Sequence, residues 1–529
     1  MPSLITFDSL SQTSPEGRLL FENLTLAFGR ERTGLVGRNG VGKTTLLRLI
    51  LGELAPSAGA VTVSGRIAVL RQQLAPPPGA TLSDLLGVAE PLARLTRIEH
   101  GEGEGADFER ADWTLPQRTQ AALAEMELAG VPLERPASML SGGEATRAGL
   151  AALLIAEPDF ILMDEPTNNL DSDGRAAVAA MLADWRGGAL VVSHDRALLR
   201  RMDRIVELTS LGANVYGGNY DLYAARKAEE EAAVARDLDR AEQALARTER
   251  RVQAAKERKA KADAAGKRSR ARRDMPKLWL DAQAERAEST SSGLSRIAER
   301  QRAEAERDLA DAEARVERVR RLAFELPPSG LPDGRVALAF DDVGFAWPDG
   351  APVLEGVSFR LVGPERLAVT GPNGAGKTTL IRLATGDLAP THGQVRRGVP
   401  AVLLDQRAGM LHDDETLLEN FRRLNPAADD NAAYAALARF VFRNVTALKP
   451  AAALSGGERL RAALACALMA VRPPQLIILD EPTNHLDLDS IAAVEAALLA
   501  YDGALVVVSH DRDFLAAIGV ERELALPAR

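Results

Sequence analysis

GRNGVGKTT, residues 37–45, lies between an apolar run, TGLVG, and a segment of helical spacing, LLRLILG. Strand, glycine-rich loop and helix is the setting in which backbone N–H groups close around phosphate oxygens, helped by the positive end of the helix dipole. The glycines allow the loop to wrap. Lys43 is placed to reach the β- and γ-phosphates, and Thr44 offers a hydroxyl to Mg²⁺. The stretch recurs as GPNGAGKTT at 371–379, with Lys377 and Thr378 in the same roles. A glycine turn without a ligand would not need two full copies in the same context.

The repetition extends beyond the loop. The two loops are offset by 334 residues; LSGGE at 140–144 and 454–458 by 314; Asp164 and Asp480, like His194 and His510, by 316. The order is the same in both halves, so the chain holds a duplicated domain. The drop in offset puts about twenty extra residues in the first half, between Gln72 and Leu140. EHGEGEGADFERADW (99–113), rich in glycine and acid, reads as the surface loop that holds them.

FILMDE (160–165) and LIILDE (476–481) each read as a buried parallel strand that ends in two acids. Acids there emerge at the ligand face of an open sheet. Asp164 and Asp480 suit Mg²⁺, commonly through water. Glu165 and Glu481 suit a general base that orients water on the γ-phosphate. LVVSHD (190–195) and LVVVSHD (505–511) repeat the design and place His194 and His510 near the γ-phosphate and its attacking water. A lone histidine is more often structural, but two at matching positions reverse that expectation. The acids continue as EPTNNLD (165–171) and EPTNHLD (481–487), which differ only at Asn169 and His485. Both side chains can hydrogen-bond, and histidine can also take a proton.

Between the halves the composition changes. From about Tyr223 to Leu322 the chain is dominated by Ala, Glu, Arg and Lys, as in long charged helices. Leu238, Ala241, Leu245 and Val252 form a thin apolar seam suited to an antiparallel helical pair. Gly266 and Pro276 mark the expected turn, STSSG (289–293) a second possible break, and Pro327 and Pro328 the end. From Arg247 to Lys277 there are thirteen Lys/Arg and four Asp/Glu, a charge of +9, in a chain whose net charge is −9. Salt-bridged helices interleave their signs, whereas this segment repels itself unless a polyanion neutralises it. Lys256, Arg258, Lys259, Lys261, Lys267, Arg268, Arg270, Arg272, Arg273 and Lys277 are the candidate nucleic-acid contacts.

Composition narrows the classes. The 46% hydrophobic and 26% charged residues fit a globular protein with sizeable cores. A single cysteine, Cys466, excludes an internal disulfide and a cysteine-built zinc or iron–sulfur cluster. No basic segment followed by an apolar core opens the sequence, and the longest apolar runs fall short of a membrane helix. The expectation is a cytoplasmic protein without membrane insertion.

Both halves resemble the ATP-binding cassette ATPases, in which LSGGE stands between the phosphate loop and the acid-tipped strand. The resemblance implies an α/β fold of two P-loop NTPase heads, joined here by a long antiparallel α-helical, coiled-coil-like linker. It also implies head-to-tail pairing of the heads within a monomeric chain. Each ATP then lies between one head's phosphate loop and the other's signature, with Mg²⁺. By carry-over, one site combines Gly37, Arg38, Asn39, Gly40, Val41, Gly42, Lys43, Thr44 and Thr45 with Gln72, Asp164, Glu165 and His194, and with Ser455, Gly456 and Gly457. The other combines Gly371, Pro372, Asn373, Gly374, Ala375, Gly376, Lys377, Thr378 and Thr379 with Gln406, Asp480, Glu481 and His510, and with Ser141, Gly142 and Gly143. Gln72, with Gln73 as the neighbouring alternative, and Gln406 follow the strands after which the superfamily keeps a metal-side glutamine. Trp347 stands where the family stacks an aromatic on adenine. The matching stretch of the first half, LSQTSPEGRLL, has Gln12 and Thr13 and no aromatic.

Tandem heads, a charged linker and EPTNHLD together resemble the F subfamily of these proteins. That resemblance implies domains at 1–222, 223–327 and 328–529, with the basic tip near 247–277. It implies ATP hydrolysis coupled to ribosome binding near the exit and peptidyl tRNA sites, with contacts to rRNA and tRNA. Regulation or rescue of translation, or ribosome protection against antibiotics, would follow. The first-half insertion is shorter than the arm some members carry. The rival reading is a tandem ATPase subunit that powers a separate membrane permease, which has no use for a basic rod between heads. ATPases of DNA repair place their coiled coil inside a head or carry zinc cysteines, unlike this chain.

Overall fold

A computed structural model describes residues 4–15, 17–70, 79–168, 170–209, 212–271, 326–348, 350–405, 408–440, 442 and 444–527, with isolated positions between 300 and 309. The chain divides into two compact units: Met1–Tyr223 together with Leu322–Arg529, and Ala224–Arg321.

The first unit holds both heads. In the first head the central sheet runs, edge to edge, Ile67–Leu70, Phe160–Asp164, Gly188–Val192, Arg32–Val36, Arg204–Thr209 and Gly212–Gly217. All neighbours are parallel except the last pair. In the second head the order is Ala401–Leu404, Leu476–Asp480, Ala504–Val508, Arg366–Thr370 and Arg522–Ala525, all parallel. The continuous apolar runs follow from burial on both faces. Phe160 and Leu162 join one core cluster while Ile161 and Met163 join the other. Leu476 and Ile478 likewise oppose Ile477 and Leu479 in the second head. Each head also carries a three-stranded antiparallel sheet, Leu19–Phe28, Ile5–Thr13 and Ala58–Val63 in the first, Pro352–Val362, Val336–Ala346 and His392–Arg397 in the second.

Pairing fixes where the functional residues emerge. Asp164 pairs with Val192 and Asp480 with Val508, the last rungs of their ladders. The acids, and the histidines two residues past those valines, therefore leave the sheet at its C-terminal edge beside the phosphate loops.

The expected surface loop at 99–113 is mostly exposed and largely non-helical, with one short helix, Gly105–Glu109, inside it. The second head passes from the helix Leu417–Leu424 to Asp430–Arg439 in five residues. The first head places the helices Ala89–Glu99 and Gly105–Glu109 between Leu82–Leu85 and Leu115–Glu125. Of the acids in 99–113, Glu99, Glu102 and Glu109 are exposed and two others cap the short helix. Glu104 and Asp107 form a capping box, and Arg97 donates to Asp107 at 3.0 Å.

The linker begins as one helix, Tyr220–Ala271, of 52 residues, which at 1.5 Å per residue is about 78 Å long. It runs through Gly266 to Ala271, and the rest of the stretch in which the turn is expected, with Pro276, lies outside the described residues. A single glycine costs about 1 kcal/mol against alanine, which a long helix with Ala264, Ala265, Lys267 and Arg268 around it can absorb. Leu238, Ala241, Leu245 and Val252 are less exposed than their neighbours, as the seam requires. Lys261 is exposed. The side chains of Lys256, Arg258, Lys259, Lys267, Arg268 and Arg270 lie outside the described residues, as do Arg272, Arg273, Pro276, Lys277 and STSSG.

Candidate active site

Each phosphate loop joins a buried strand to a helix, Lys43–Ile50 or Lys377–Thr385. Gly37 and Gly371 open the loops at φ 146° and 142°. A Cβ there would stand 2.4 Å from the Leu208 carbonyl oxygen or 2.6 Å from that of Leu526, so only glycine fits. Val41 and Ala375 are buried and anchor the loops from beneath. Lys43 Nζ donates to the carbonyls of Gly37 at 2.6 Å and Arg38 at 3.3 Å. Lys377 Nζ donates to Gly371 at 2.6 Å and Pro372 at 3.0 Å. Burial lowers the pKa of both lysines, against the pull of the nearby carboxylates. Thr44 Oγ1 donates to Asp164 Oδ2 at 3.1 Å. Burial raises the Asp164 and Asp480 carboxyls.

Glu165 and Glu481 sit in the left-handed region at φ 48° and 45°. A side-chain-bearing residue pays strain there. In both heads its N–H donates at 2.9 Å to the last residue of the adjacent strand, Val192 or Val508. That bond holds the turn. His194 Nε2 stands 3.3 Å from Glu165 Oε1 and His510 Nε2 3.5 Å from Glu481 Oε1, close but not aligned as hydrogen bonds. Burial pushes Glu481 up to about 7 and His510 down to about 4. It drives Glu165 and His194 in the same directions. Burial thus disfavours charge on both partners of each pair.

The heads meet at these sites through a residue pair that spacing did not reveal. Asp171 caps the helix Ser172–Asp184, accepting from Gly174 N at 3.1 Å. Its other oxygen accepts from Asn373 N, in the second head's phosphate loop, at 3.1 Å. Asp487 mirrors it, accepting from Ser490 N and from Asn39 N, each at 2.8 Å. Asn39 Nδ2 also donates to the His485 carbonyl at 2.9 Å, and Arg38 Nε to Asp489 at 2.9 Å. Their only sequence signal was closing a repeated heptapeptide. Further out, Arg196 pairs with Glu495 at 2.7 Å, and Arg200 takes Asp513 with two nitrogens at 2.7 and 3.0 Å.

Ser141 and Ser455 cap the helices Gly142–Ala156 and Gly456–Leu468, with Glu144 and Glu458 closing the boxes. Their bonds run within their own helix. Gly142, Gly143 and Gly456 border open space, whereas Gly457 packs against Ser490 and Leu486. Trp347 is exposed beside the second loop's helix. Thr45, Thr378 and Thr379 lie in the first turns of their helices. Gln72, Gln73, Gln406 and Asn169 lie outside the described residues.

Fold and loops together define a tandem ATP-binding cassette ATPase. The family described as ABC transporter matches residues 22–168 and 354–484. The tylosin resistance ATP-binding protein TlrC of Streptomyces fradiae is 33% identical over 94% of this chain and 93% of its own. The probable ATP-binding protein YheS of Escherichia coli K12 is 32% identical over 97% of this chain and 77% of its own. The ATP-binding protein Uup of Haemophilus influenzae is 31% identical over 91% and 72%. Among solved structures, the archaeal ribosome recycling factor aABCE1, in complex with the ribosomal stalk protein aP1, shares the fold. It does so with a TM-score of 0.56 and 17% identity, covering 98% of this chain and 87% of its own. The chain belongs to the F subfamily of ATP-binding cassette proteins. It is an ATP-binding protein and an ATPase. No helix among the described residues is long and apolar enough to cross a membrane.

Proposed function

We propose that this protein binds the ribosome in the cytoplasm through the basic stretch 247–277 and uses ATP binding and hydrolysis in its paired heads to hold and release it. The observation that carries the reading is the reciprocal contact of the heads. Asp171 and Asp487 each accept from the phosphate loop of the other head, which supports a single chain that supplies both sides of both sites. The relatives match over more than nine-tenths of this chain, and the fold recurs in a ribosome recycling factor bound to a ribosomal protein. Those names support a role in regulating or rescuing translation, with antibiotic protection as the form that the tylosin-resistance relative's name indicates.

In this reading the two loops hold the triphosphate with their N–H groups and lysines. The hydroxyl–carboxylate pair Thr44–Asp164, two hard oxygens 3.1 Å apart, fits Mg²⁺. By the family resemblance, Gln72 or Gln73 would join that pair, and Thr378, Gln406 and Asp480 would hold the second ion. Mg²⁺ supplies Lewis-acid charge at the phosphates. Glu165 and Glu481 take a proton from the attacking water. His194 and His510, neutral and buried, orient that water and the γ-phosphate. The N-terminal turns at Ser141 and Ser455 face the opposite triphosphate when the heads close, and product release opens them.

The test is co-sedimentation. The double variant Glu165→Gln, Glu481→Gln keeps ATP binding and loses the base, so the closed state persists. With ATP it should pellet with ribosomes and arrest protein synthesis in an extract. Remaining in the supernatant, or pelleting only with membranes, would falsify the reading.

A further inference from the structure

The two sites share loops, acids and histidines, but not the surface against which a base would lie. In the second head Trp347 follows the strand Val336–Ala346 and is 45% exposed. Phe345 meets it edge-on at 5.0 Å. The Arg382 guanidinium, carried by the helix that starts at the phosphate loop, lies over the ring 5.9 Å from its centre. The neighbouring strand touches the loop itself, with Val353 and Leu354 beside Gly376. The result is a flat, accessible indole held in place at the mouth of the loop.

The first head packs the same hairpin on the same loop, with Leu20 and Phe21 beside Gly42. Strand pairing gives the correspondence. Gln12 pairs with Phe21 as Phe345 pairs with Leu354, and Thr13 with Leu19 as Ala346 with Pro352. Gln12 therefore stands where Phe345 stands, and Ser14, not Thr13, stands where Trp347 stands. Gln12 is buried with both ends of its amide engaged. Its Nε2 donates to the Thr13 carbonyl at 3.1 Å and its Oε1 accepts from Ser57 N at 3.0 Å. The exposed Arg18 reaches the loop by donating to the Gly40 carbonyl at 3.0 Å. A polar, hydrogen-bonded knot replaces the aromatic ledge.

We propose that the first site is blind to the base: it holds a nucleoside triphosphate through the phosphates, whereas the second site adds stacking on Trp347. The inference rests on the assignment of the two phosphate loops made above. Stacking of a base on an aromatic side chain is worth roughly 5- to 150-fold in affinity. At limiting ATP the second site fills first, and the first accepts other nucleoside triphosphates in proportion to their abundance.

Ribose 5′-triphosphate, which lacks the base, is the probe. Lys43→Ala in the full chain leaves the second site, and Lys377→Ala leaves the first. Dissociation constants for ATP and for the base-free analogue are measured on each with Mg²⁺ present. The first site should lose less than about 3-fold on removal of the base, below the stacking range. The second should lose roughly 5- to 150-fold. Trp347→Ala should bring the second site down to the first-site ratio, and Trp347→Phe should restore most of the difference. Equal losses at both sites, or a second-site ratio unmoved by Trp347→Ala, overturn the proposal and leave the loop assignment standing. If Lys43→Ala and Lys377→Ala each still bind two ATP, the assignment itself falls, and the proposal with it.

Discussion

Asp171 and Asp487 divide their oxygens between two tasks, capping a helix in one head and holding a phosphate loop in the other. The tasks are separable. Serine caps a helix about as well as aspartate but has one short oxygen, whereas alanine forfeits about 1 kcal/mol of capping. Asp487→Ser should therefore denature close to wild type, and Asp487→Ala should be less stable by about 1 kcal/mol. In a Glu481→Gln background, where only the first site turns over, both should lose most of their ATPase rate because Asn39 N loses its partner. A serine variant with full turnover would assign Asp487 to stability alone. These aspartates were not legible in the sequence, because their meaning depends on a surface more than 200 residues away, and spacing reports only on the segment itself. The loops, acids and histidines were legible because each is set by its own strand and turn. Glu481 and His510 make a second residue-scale case. The folded state keeps a proton on Glu481 up to about pH 7, while an unfolded glutamate gives it up near 4.3. That term makes the fold more stable as pH falls from about 7 toward 4.5. His510 resists protonation down to about 4, while an unfolded histidine takes its proton near 6.5. That term makes the fold less stable as pH falls through 6.5. Together the two nearly cancel, and single substitutions should expose them. Between pH 7 and 5, without nucleotide, the urea midpoint relative to wild type should rise for His510→Asn and fall for Glu481→Gln. Parallel slopes would show that the pair does not titrate in this way.

At the scale of elements, the short helices that follow the histidine loops also join the heads. Arg196 and Arg200 both come from the helix Arg196–Leu199 and its C-cap. Arg196 and Glu495 are mostly buried, and burial already pushes the Glu495 carboxyl up against the pull of Arg196. Removing the arginine leaves that carboxyl alone. Arg196→Ala should destabilise by roughly 3–5 kcal/mol, whereas Arg196→Met with Glu495→Leu should recover most of the loss, because an apolar pair carries no desolvation penalty. Urea denaturation of the two variants decides the matter; equal losses would mean that the site depends on shape rather than charge. Two local details lay beyond the sequence reading. Alanine and basic residues carry the helix across Gly266, a residue that breaks helices in isolation, and Glu104 and Asp107 cap a short helix, Gly105–Glu109, inside the otherwise exposed and non-helical segment 99–113. Gly266→Ala should accordingly raise helical content and add up to about 1 kcal/mol to the rod, seen by circular dichroism on the full chain. A fall would mean that Gly266 takes a conformation other than the helical one.

At the scale of the whole molecule the charges are sorted. The segment 247–277 carries +9 in a chain of net −9, so everything else sums to −18. A polyanion such as ribosomal RNA repels the bulk of this protein and attracts one stretch of it, which selects an approach with that stretch leading. Neutralising phosphates with lysine and arginine releases condensed counterions, and the logarithm of affinity then falls linearly with the logarithm of salt concentration. Every phosphate left without its cation should flatten that slope by about 0.7–0.9. Reversing Lys256, Arg258, Lys261 and Lys267 to glutamate should therefore weaken ribosome binding and reduce its salt slope by up to about 3.6. The ATPase rate of the free protein should stay the same, since none of the four is part of a head. The trapped Glu165→Gln, Glu481→Gln chain is the background of choice, because ATP then holds the heads closed and isolates the rod's contribution. If affinity fell with no change in slope, the four residues would act through helix packing. If neither changed, the basic stretch would be a solvated helix face, and ribosome binding would have to come from the heads.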